Sequence, residues 1–405
     1  MGKTILIISG SIEAADAAKR AKDMGLTVVV SDSDPEAPGF AFADSCLIAD
    51  VHGASETAAA AERYSRKIRK IDGVICAAVD APLTVATVAG RLGLPGMSIA
   101  TAELASDKLA MKRRFSECGI PVPWFSEVTT VQALQRFAIE RGNDLVIKPV
   151  DGQGSRGVQR VAKVENLTKA FALARSLSPT QRVMVEQFLD GPQVSTESLI
   201  IDGHCHTPSL SDRNSEYPEA SAPFFVETGG DSPSRLPPDI QAKIKDLVAR
   251  AAGALGVTHG TVKGDIVVHN DEPHVIALAP HLSGGFFCTR EIPLSTGVDF
   301  VGCAIRLALG ESVSAEELEP KDARAVVQRY AFPRPGRVVA VDGAEEAKNV
   351  PGIADVVVTV RSGDVIPAST EGRPSAAMVL ATGPSRETAL AAANDAIACL
   401  KIKTA

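Results

Sequence analysis

The chain has 405 residues, 45% hydrophobic and 22% charged, with a formal net charge of −7. This is enough apolar material for several cores and, at roughly 100–200 residues each, for two to four domains. Scattered basic residues and only 4% aromatic residues exclude the electrostatic footprint and stacking platforms that nucleic acid requires, and no run approaches the ~20 apolar residues of a membrane span.

In chain order, Met1 to Ile5 is too short an apolar stretch for a signal peptide. Residues 4–9 read as a buried strand, Gly10-Ser11 as a turn and 12–24 as an alanine-rich helix closed by Gly25. Strands at 26–31, 45–48 and 73–77 follow, the last two separated by a helical run at 54–70. This alternation predicts a parallel sheet with right-handed crossovers. The Gly10 turn reads equally as a ligand loop and as a plain turn. Ser106 is expected to cap a helix that runs to Gly119, stopped by Pro121 and Pro123. A strand at 124–128 and a helix at 131–142 lead to Leu145-Val146-Ile147-Lys148-Pro149.

That apolar run delivers one lysine to its end, and Gly152, Gly154 and Gly157 follow at once, interleaved with Gln153 and Ser155. A strand feeding a glycine-rich loop lets backbone N–H groups approach phosphate oxygens, with lysine as a point charge. The spacing is neither a Walker A motif nor a Rossmann fingerprint, and an ordinary surface turn has the same residues. A helix at 164–177 and strands at 183–189 and 195–201 come next, and 211–238 reads as a long polar loop of the kind that forms lids. After a helix at 238–255, strands at 261–269 and 274–278 flank a hairpin turn at 270–273. Lys263 and Asp265, two apart on a strand, share one face. The last region carries strands at 326–330, 337–341, 353–360 and 378–382 and a helix at 385–400. Seven widely spaced cysteines without a Cys-x-x-Cys fit reduced thiols and a cytoplasmic location.

Taken together, these motifs resemble the ATP-grasp carboxylate–amine ligases, in particular the L-amino-acid-ligase type, with purine-pathway carboxylases as neighbours. The Leu-Ser-Gly-Gly ending at 282–285 and the segment 372–393 carry the closer likeness. The resemblance implies an α/β ATP-grasp fold: an N-terminal parallel-sheet, Rossmann-like domain over 1–100, two ATP-clamping lobes over 101–310 and a small C-terminal α+β domain over 311–405. It implies that Lys108 and Lys148 bind ATP phosphates and that the loop Gly152, Gln153, Gly154, Ser155, Gly157 covers them. Glu186-Gln187-Phe188-Leu189 would form the hinge, with Glu186 or the Gln187 carbonyl reading the adenine amine and the Leu189 N–H reading N1. Gln193 would meet the ribose, where the family usually has glutamate.

Lys263 would stabilise the transferring phosphoryl group and Asp265 would hold Mg²⁺. The branch has glutamate at position 277 and arginine at 281, and this chain has Ala277 and His281. Lost activity, a carboxylate recruited from Glu227 or Glu272, and substitutions that trap a complex all remain open. Ser283, Gly284 and Gly285 would offer N–H groups to an acyl phosphate. Arg290 would clamp a substrate carboxylate, with Arg213 as a second candidate, and His281 is readable as a phosphate partner or as a structural histidine. The expected partners are small-molecule carboxylates and amines, with no nucleic acid and no membrane, and a homodimer stays open. The rival readings are a purine-type carboxylase or formyl-transferring enzyme and a non-catalytic nucleotide-binding partner.

Overall fold

A computed structural model describes residues 2–142, 144–152, 154–161, 166–214, 222–367 and 375–405. Gln153, within the glycine loop, lies outside the described residues, as do 162–165 at the expected start of the next helix and 368–374.

The N-terminal strands β1 (Thr4–Ile8), β2 (Thr27–Asp32), β3 (Ser45–Ile48) and β4 (Gly73–Cys76) form a parallel sheet in the order β3-β2-β1-β4. Ile5 and Ile7 face helix α1 (Ala14–Asp23), whereas Leu6 and Ile8 face α2 (Ala54–Lys67) and α3 (Pro82–Leu92). Both faces are covered, which is why β1 is apolar at every other position as well. At the Gly10 turn the Gly10 N–H donates to Asp32 Oδ2 at 2.7 Å, and its carbonyl accepts from Gly39 N–H at 2.7 Å. The turn is therefore tied to its own domain.

Helix α4 (Ile99–Ser106) precedes α5 (Lys108–Glu117). Ser106 is not the cap of α5: it ends α4, and its hydroxyl donates to the Ala102 carbonyl. Asp107 is the cap, accepting from Ala110 N–H at 2.8 Å. The small lobe is an antiparallel sheet of β5 (Phe125–Val128), β6 (Leu145–Pro149), β7 (Gln159–Val161) and β8 (Val183–Gln187), in the order β5-β8-β6-β7. Helices α6 (Val131–Arg141) and α7 (Leu167–Ser176) bury Leu134, Ala138, Leu167 and Phe171 against it.

The large lobe begins with β9 (Gln193–Ile201), β10 (His204–Asn214) and β11 (Gly229–Ser232). The expected loop over 211–238 is thus shorter than expected at its first end and interrupted by a strand: 211–214 continue β10, and 229–232 pair with that strand. Residues 215–221 lie outside the described residues. Helix α8 (Pro238–Leu255) packs Ile244, Leu247, Val248 and Ala251 under β12 (Gly260–His269) and β13 (Glu272–Ala279). The β12–β13 turn has only two residues, Asn270 and Asp271, at φ 52° and 60°, the paired positive φ of a tight hairpin.

A helix the sequence analysis left unassigned, α9 (Phe300–Ala308), packs with 287–318 on the N-terminal domain. The C-terminal strands β14 (Ala325–Ala331), β15 (Gly336–Asp342), β16 (Ile353–Val358), β17 (Val365–Ile366) and β18 (Ala377–Gly383) then precede helix α10 (Arg386–Cys399) and β19 (Lys401–Thr404). Three of them extend the large-lobe sheet, which runs β13-β12-β9-β10-β11-β14-β18-β16, while β17-β15-β19 form a small separate sheet. All seven cysteines are free thiols, and among the described residues no helix is long and apolar enough to cross a membrane.

Candidate functional site

Lys148 sits in the middle strand region of the small lobe, 4% exposed, with Met184 opposite it and Glu186 opposite Val146. These positions share one face. Lys148 Nζ donates to Glu186 Oε1 at 2.5 Å, and Lys112 Nζ, from one helical turn beyond Lys108, lies 2.9 Å from Glu186 Oε2. Lys112 also donates to the Val275 carbonyl on β13 at 3.3 Å, so one fully buried cation joins the two lobes. Burial would raise the Glu186 pKa, but the two lysines outweigh it and hold the carboxyl below its usual value. Lys112 is pushed down to about 8, chiefly by burial.

Lys108 opens α5 and its Nζ donates to the Gly152 carbonyl at the root of the glycine loop. Asp151 anchors that root through the Ser178 hydroxyl at 2.5 Å and the Thr180 hydroxyl and N–H at 2.6 and 3.0 Å. Gly154, Ser155 and Gly157 all have positive φ, and a Cβ at Gly152 would lie 2.8 Å from Pro149 Cβ. Here glycine permits the backbone path itself.

At the hinge, the structure departs from the expectation for Glu186. Its carboxylate is engaged by two lysines, one on each oxygen. Gln187 is exposed, Leu189 is buried, and Phe188 is covered by the Arg160 guanidinium 3.6 Å from its ring centre. Gln193 begins β9, half-buried and opposite Val267.

The second cluster lies on the large-lobe sheet. Lys263 is in register with Glu197 and Ala279, and Asp265 with Ser195 and Ala277. Asp265 and Ala277 are thus cross-strand partners, brought opposite each other by a bulge between Asp265 and Ile266 that shifts the hairpin register by one residue. Gly264 between the two charged residues is required, because a Cβ there would lie 2.6 Å from Thr196 Oγ1. Asp265 Oδ1 accepts from Lys263 Nζ and from an Arg213 terminal nitrogen, both at 2.5 Å, and the other Arg213 terminal nitrogen donates to Glu227 Oε2 at 2.5 Å. Burial alone would raise the Asp265 pKa, but Lys263 and Arg213 bring it down to about 2. The Lys148 charge also acts on Asp265 and lowers its pKa further.

His281 is half-buried, with Nδ1 2.8 Å from the Leu282 carbonyl and Nε2 4.0 Å from Asp80. Burial lowers its pKa. Glu272, one of the two carboxylates considered for metal, stands at the exposed hairpin end, paired with Lys243 at 2.6 Å.

The turn at Ser283–Gly285 is already engaged. Ser283 N–H points between the Glu197 oxygens at 3.3 and 3.4 Å, and Gly285 N–H donates to Glu13 Oε2 at 2.6 Å. A Cβ at Gly284 would lie 2.9 Å from that same Glu13 oxygen. Burial raises the Glu197 pKa to about 8 and also raises that of Glu13. Arg290 is not an open clamp. Its guanidinium grips Asp16 at 2.6 and 3.0 Å, pairs with Asp355, and lies over the Phe286 ring, tying the N-terminal helix to the C-terminal strands.

Lys112, Glu197 and Glu13 were missed in the sequence. Lys112 had a signal, its i,i+4 spacing from Lys108. Glu197 had its same-face spacing from Ser195. Glu13 had none.

The two bridging Mg²⁺ ions implied by the resemblance do not fit these side chains. Ala277 supplies no oxygen, Asp265 is paired with two cations, and among the described residues no group of three or more His, Cys, Asp or Glu side chains could hold a metal ion.

An ATP-grasp domain model matches residues 105–285, and a model described as L-amino acid ligase C-terminal domain 2 matches 329–405. A D-alanine–D-alanine ligase of Gloeobacter violaceus is 30% identical over 224 residues, covering 52% of this chain and 70% of that enzyme. The "uncharacterized protein y4rH" of Sinorhizobium fredii is 28% identical over 367 residues, 89% of this chain and 74% of that protein. The crystal structure of an L-amino acid ligase from Bacillus licheniformis superposes with a TM-score of 0.85 over 100% of this chain and 99% of that one, at 24% identity.

Proposed function

Because the chain belongs to the ATP-grasp family of carboxylate–amine ligases, we propose that it activates a small-molecule carboxylate with ATP and joins it to an amine. One pairing of clusters supports this reading: Lys108 meets the root of the glycine loop with Lys148 on the neighbouring strand, and Lys263, Arg213 and Asp265 gather on the large-lobe sheet within electrostatic reach of Lys148.

In this reading the adenine lies against Gln187–Leu189, with the Gln187 carbonyl as reader because Glu186 is taken, and Gln193 meets the ribose by a neutral hydrogen bond. Lys108 and Lys148 hold the phosphates, and the loop from Gly152 to Gly157 excludes water above them. A substrate carboxylate oxygen attacks the γ-phosphorus. The bond to the β–γ bridging oxygen breaks, and ADP leaves with the electron pair. The amine nitrogen then attacks the acyl carbon, gives up a proton and expels inorganic phosphate, leaving an amide. Lys263 and Arg213 place positive charge where the transferring group carries negative charge, so catalysis is mainly positioning and charge stabilisation.

Hydroxylamine tests the acyl-phosphate step without knowledge of the amine. ATP, a panel of amino and other carboxylic acids, and hydroxylamine should yield a hydroxamate with matching ADP release for at least one acid. ADP release without hydroxamate from any acid contradicts the acyl phosphate. Ala277 and the engaged Ser283 and Gly285 N–H groups favour a second reading, nucleotide binding without turnover. It predicts ATP binding with neither product.

A further inference from the structure

A γ-phosphoryl group entering this cleft needs positive charge beside it, and the sheet is poor in oxygen ligands for a metal there. What stands in the gap is a side chain. The Arg213 guanidinium spans two carboxylates, one terminal nitrogen on Asp265 Oδ1 and the other on Glu227 Oε2, each at 2.5 Å. This is the position of a bridging cation: one positive centre between two anions drawn from different strands and loops. The group is one-fifth exposed, and its carboxylate partners are 21% and 36% exposed, so the cluster opens to the cleft.

We propose that Arg213 is a resident cation that takes the place of one of two divalent ions at the γ-phosphate end. The inference rests on the nucleotide reading above and adds to it a metal requirement of at most one ion.

Three features support the substitution over a simple ion pair. Asp265 is flanked by Lys263 as well as Arg213, so its charge is already balanced without a metal. Its cross-strand partner is Ala277, which has no oxygen to serve as the second donor that a bridging metal would need. A planar guanidinium also has the geometry to hold two carboxylates through different nitrogens while its remaining N–H groups face a phosphate, which an ammonium cannot do. Two side-chain cations and two carboxylates then form a balanced cluster that needs no ion to assemble.

The test is calorimetric binding of a non-hydrolysable ATP analogue to the full chain, in excess Mg²⁺ and in EDTA. The parent should bind within about threefold in the two buffers, since a tenfold difference would correspond to ~1.4 kcal/mol supplied by metal. Arg213→Met should lose about tenfold in EDTA and recover most of it with Mg²⁺, because Asp265 and Glu227 are then free to hold an ion. If Arg213→Met is poorly folded, the double variant Arg213→Met/Glu227→Gln relieves the carboxylate repulsion and should show the same loss in EDTA. Mn²⁺ titration of the parent–analogue complex, followed by electron paramagnetic resonance, should count one ion. A parent that weakens tenfold or more in EDTA, two Mn²⁺ ions per complex, or an Arg213→Met profile identical to the parent would each overturn the proposal. Failure of the folded parent to bind the analogue in either buffer would instead overturn the nucleotide reading beneath it.

Discussion

The two ends of the cleft are built in opposite ways. At the small-lobe end, Lys148, Glu186 and Lys112 form a buried charge triad in which every group has a partner and exposure is 4% or less. At the large-lobe end, Lys263, Asp265, Arg213 and Glu227 stand one-fifth to one-third exposed beside an alanine. The first is a fixed mount that holds one lysine in place whatever is bound. The second has its charges facing the cleft, where they can exchange protein partners for ligand oxygens. Burial makes the first end expensive to alter, and exposure leaves the second free to vary in sequence without loss of the fold.

The comparison breaks most readily at Glu186. Glu186→Gln leaves two lysines buried together, and we expect a loss of about 3–5 kcal/mol in urea unfolding, the usual effect of removing one partner from a buried ion pair. A change below about 1 kcal/mol would place that triad in a far wetter setting than its burial indicates.

The next effect is pH dependence from Glu197, whose pKa rises from the ordinary 4.5 to about 8 through burial. The folded state holds its proton more tightly than the unfolded one. Its contribution is therefore fully present below about pH 4.5 and is lost as pH rises toward about 8. Glu291, raised to about 7 by burial, acts in the same direction. Unfolding stability should fall between pH 5 and 8, measured by chemical denaturation, and Glu197→Gln should flatten that slope.

A sharper probe of the open end is Ala277→Glu. Opposite Asp265, the new carboxylate should increase the Mg²⁺ dependence of ATP-analogue binding by a few-fold, and adding His281→Arg should couple with it because the two positions share one segment. An unchanged metal dependence would mean that position 277 does not face the bound phosphates.

The smallest effect belongs to Arg290. Its ion pairs with Asp16 and Asp355 are partly exposed, so Arg290→Met should cost about 1 kcal/mol in stability. The KM for the carboxylate substrate should stay near the parent value. A large rise in KM would return to Arg290 the clamping role that its present partners deny it.

Much of this architecture was legible in the chain because its signals are local. Alternating apolar strands and helices predicted the parallel sheet, Asn270-Asp271 sat in the expected turn, and Ala277 stands opposite Asp265 as expected, although a bulge after Asp265 sets that register and not the turn alone. Ser106 misled because serine is a good cap, yet Asp107, one residue later, caps the helix. Residues 211–214 looked like loop because Ser211, Asp212 and Asn214 are polar, although pairing with β9 at 211–212 and with β11 at 212–214 keeps them in a strand. The site itself was only half legible. Glu186 reads as a hinge residue until Lys112 and Lys148 are seen on either side of it. The N–H groups of Ser283 and Gly285 look available until Glu197 and Glu13 reach them from 86 and 272 residues away. Contacts of that range leave no periodicity to read.

The central claim is that the buried small-lobe end mounts a lysine for ATP phosphate. It is tested most directly by ATP-analogue affinity of the parent beside Lys148→Met, with folding checked by circular dichroism. The parent should bind, and Lys148→Met should bind about a hundredfold more weakly, the equivalent of ~2.7 kcal/mol. A well-folded Lys148→Met that binds the analogue as tightly as the parent would contradict the account.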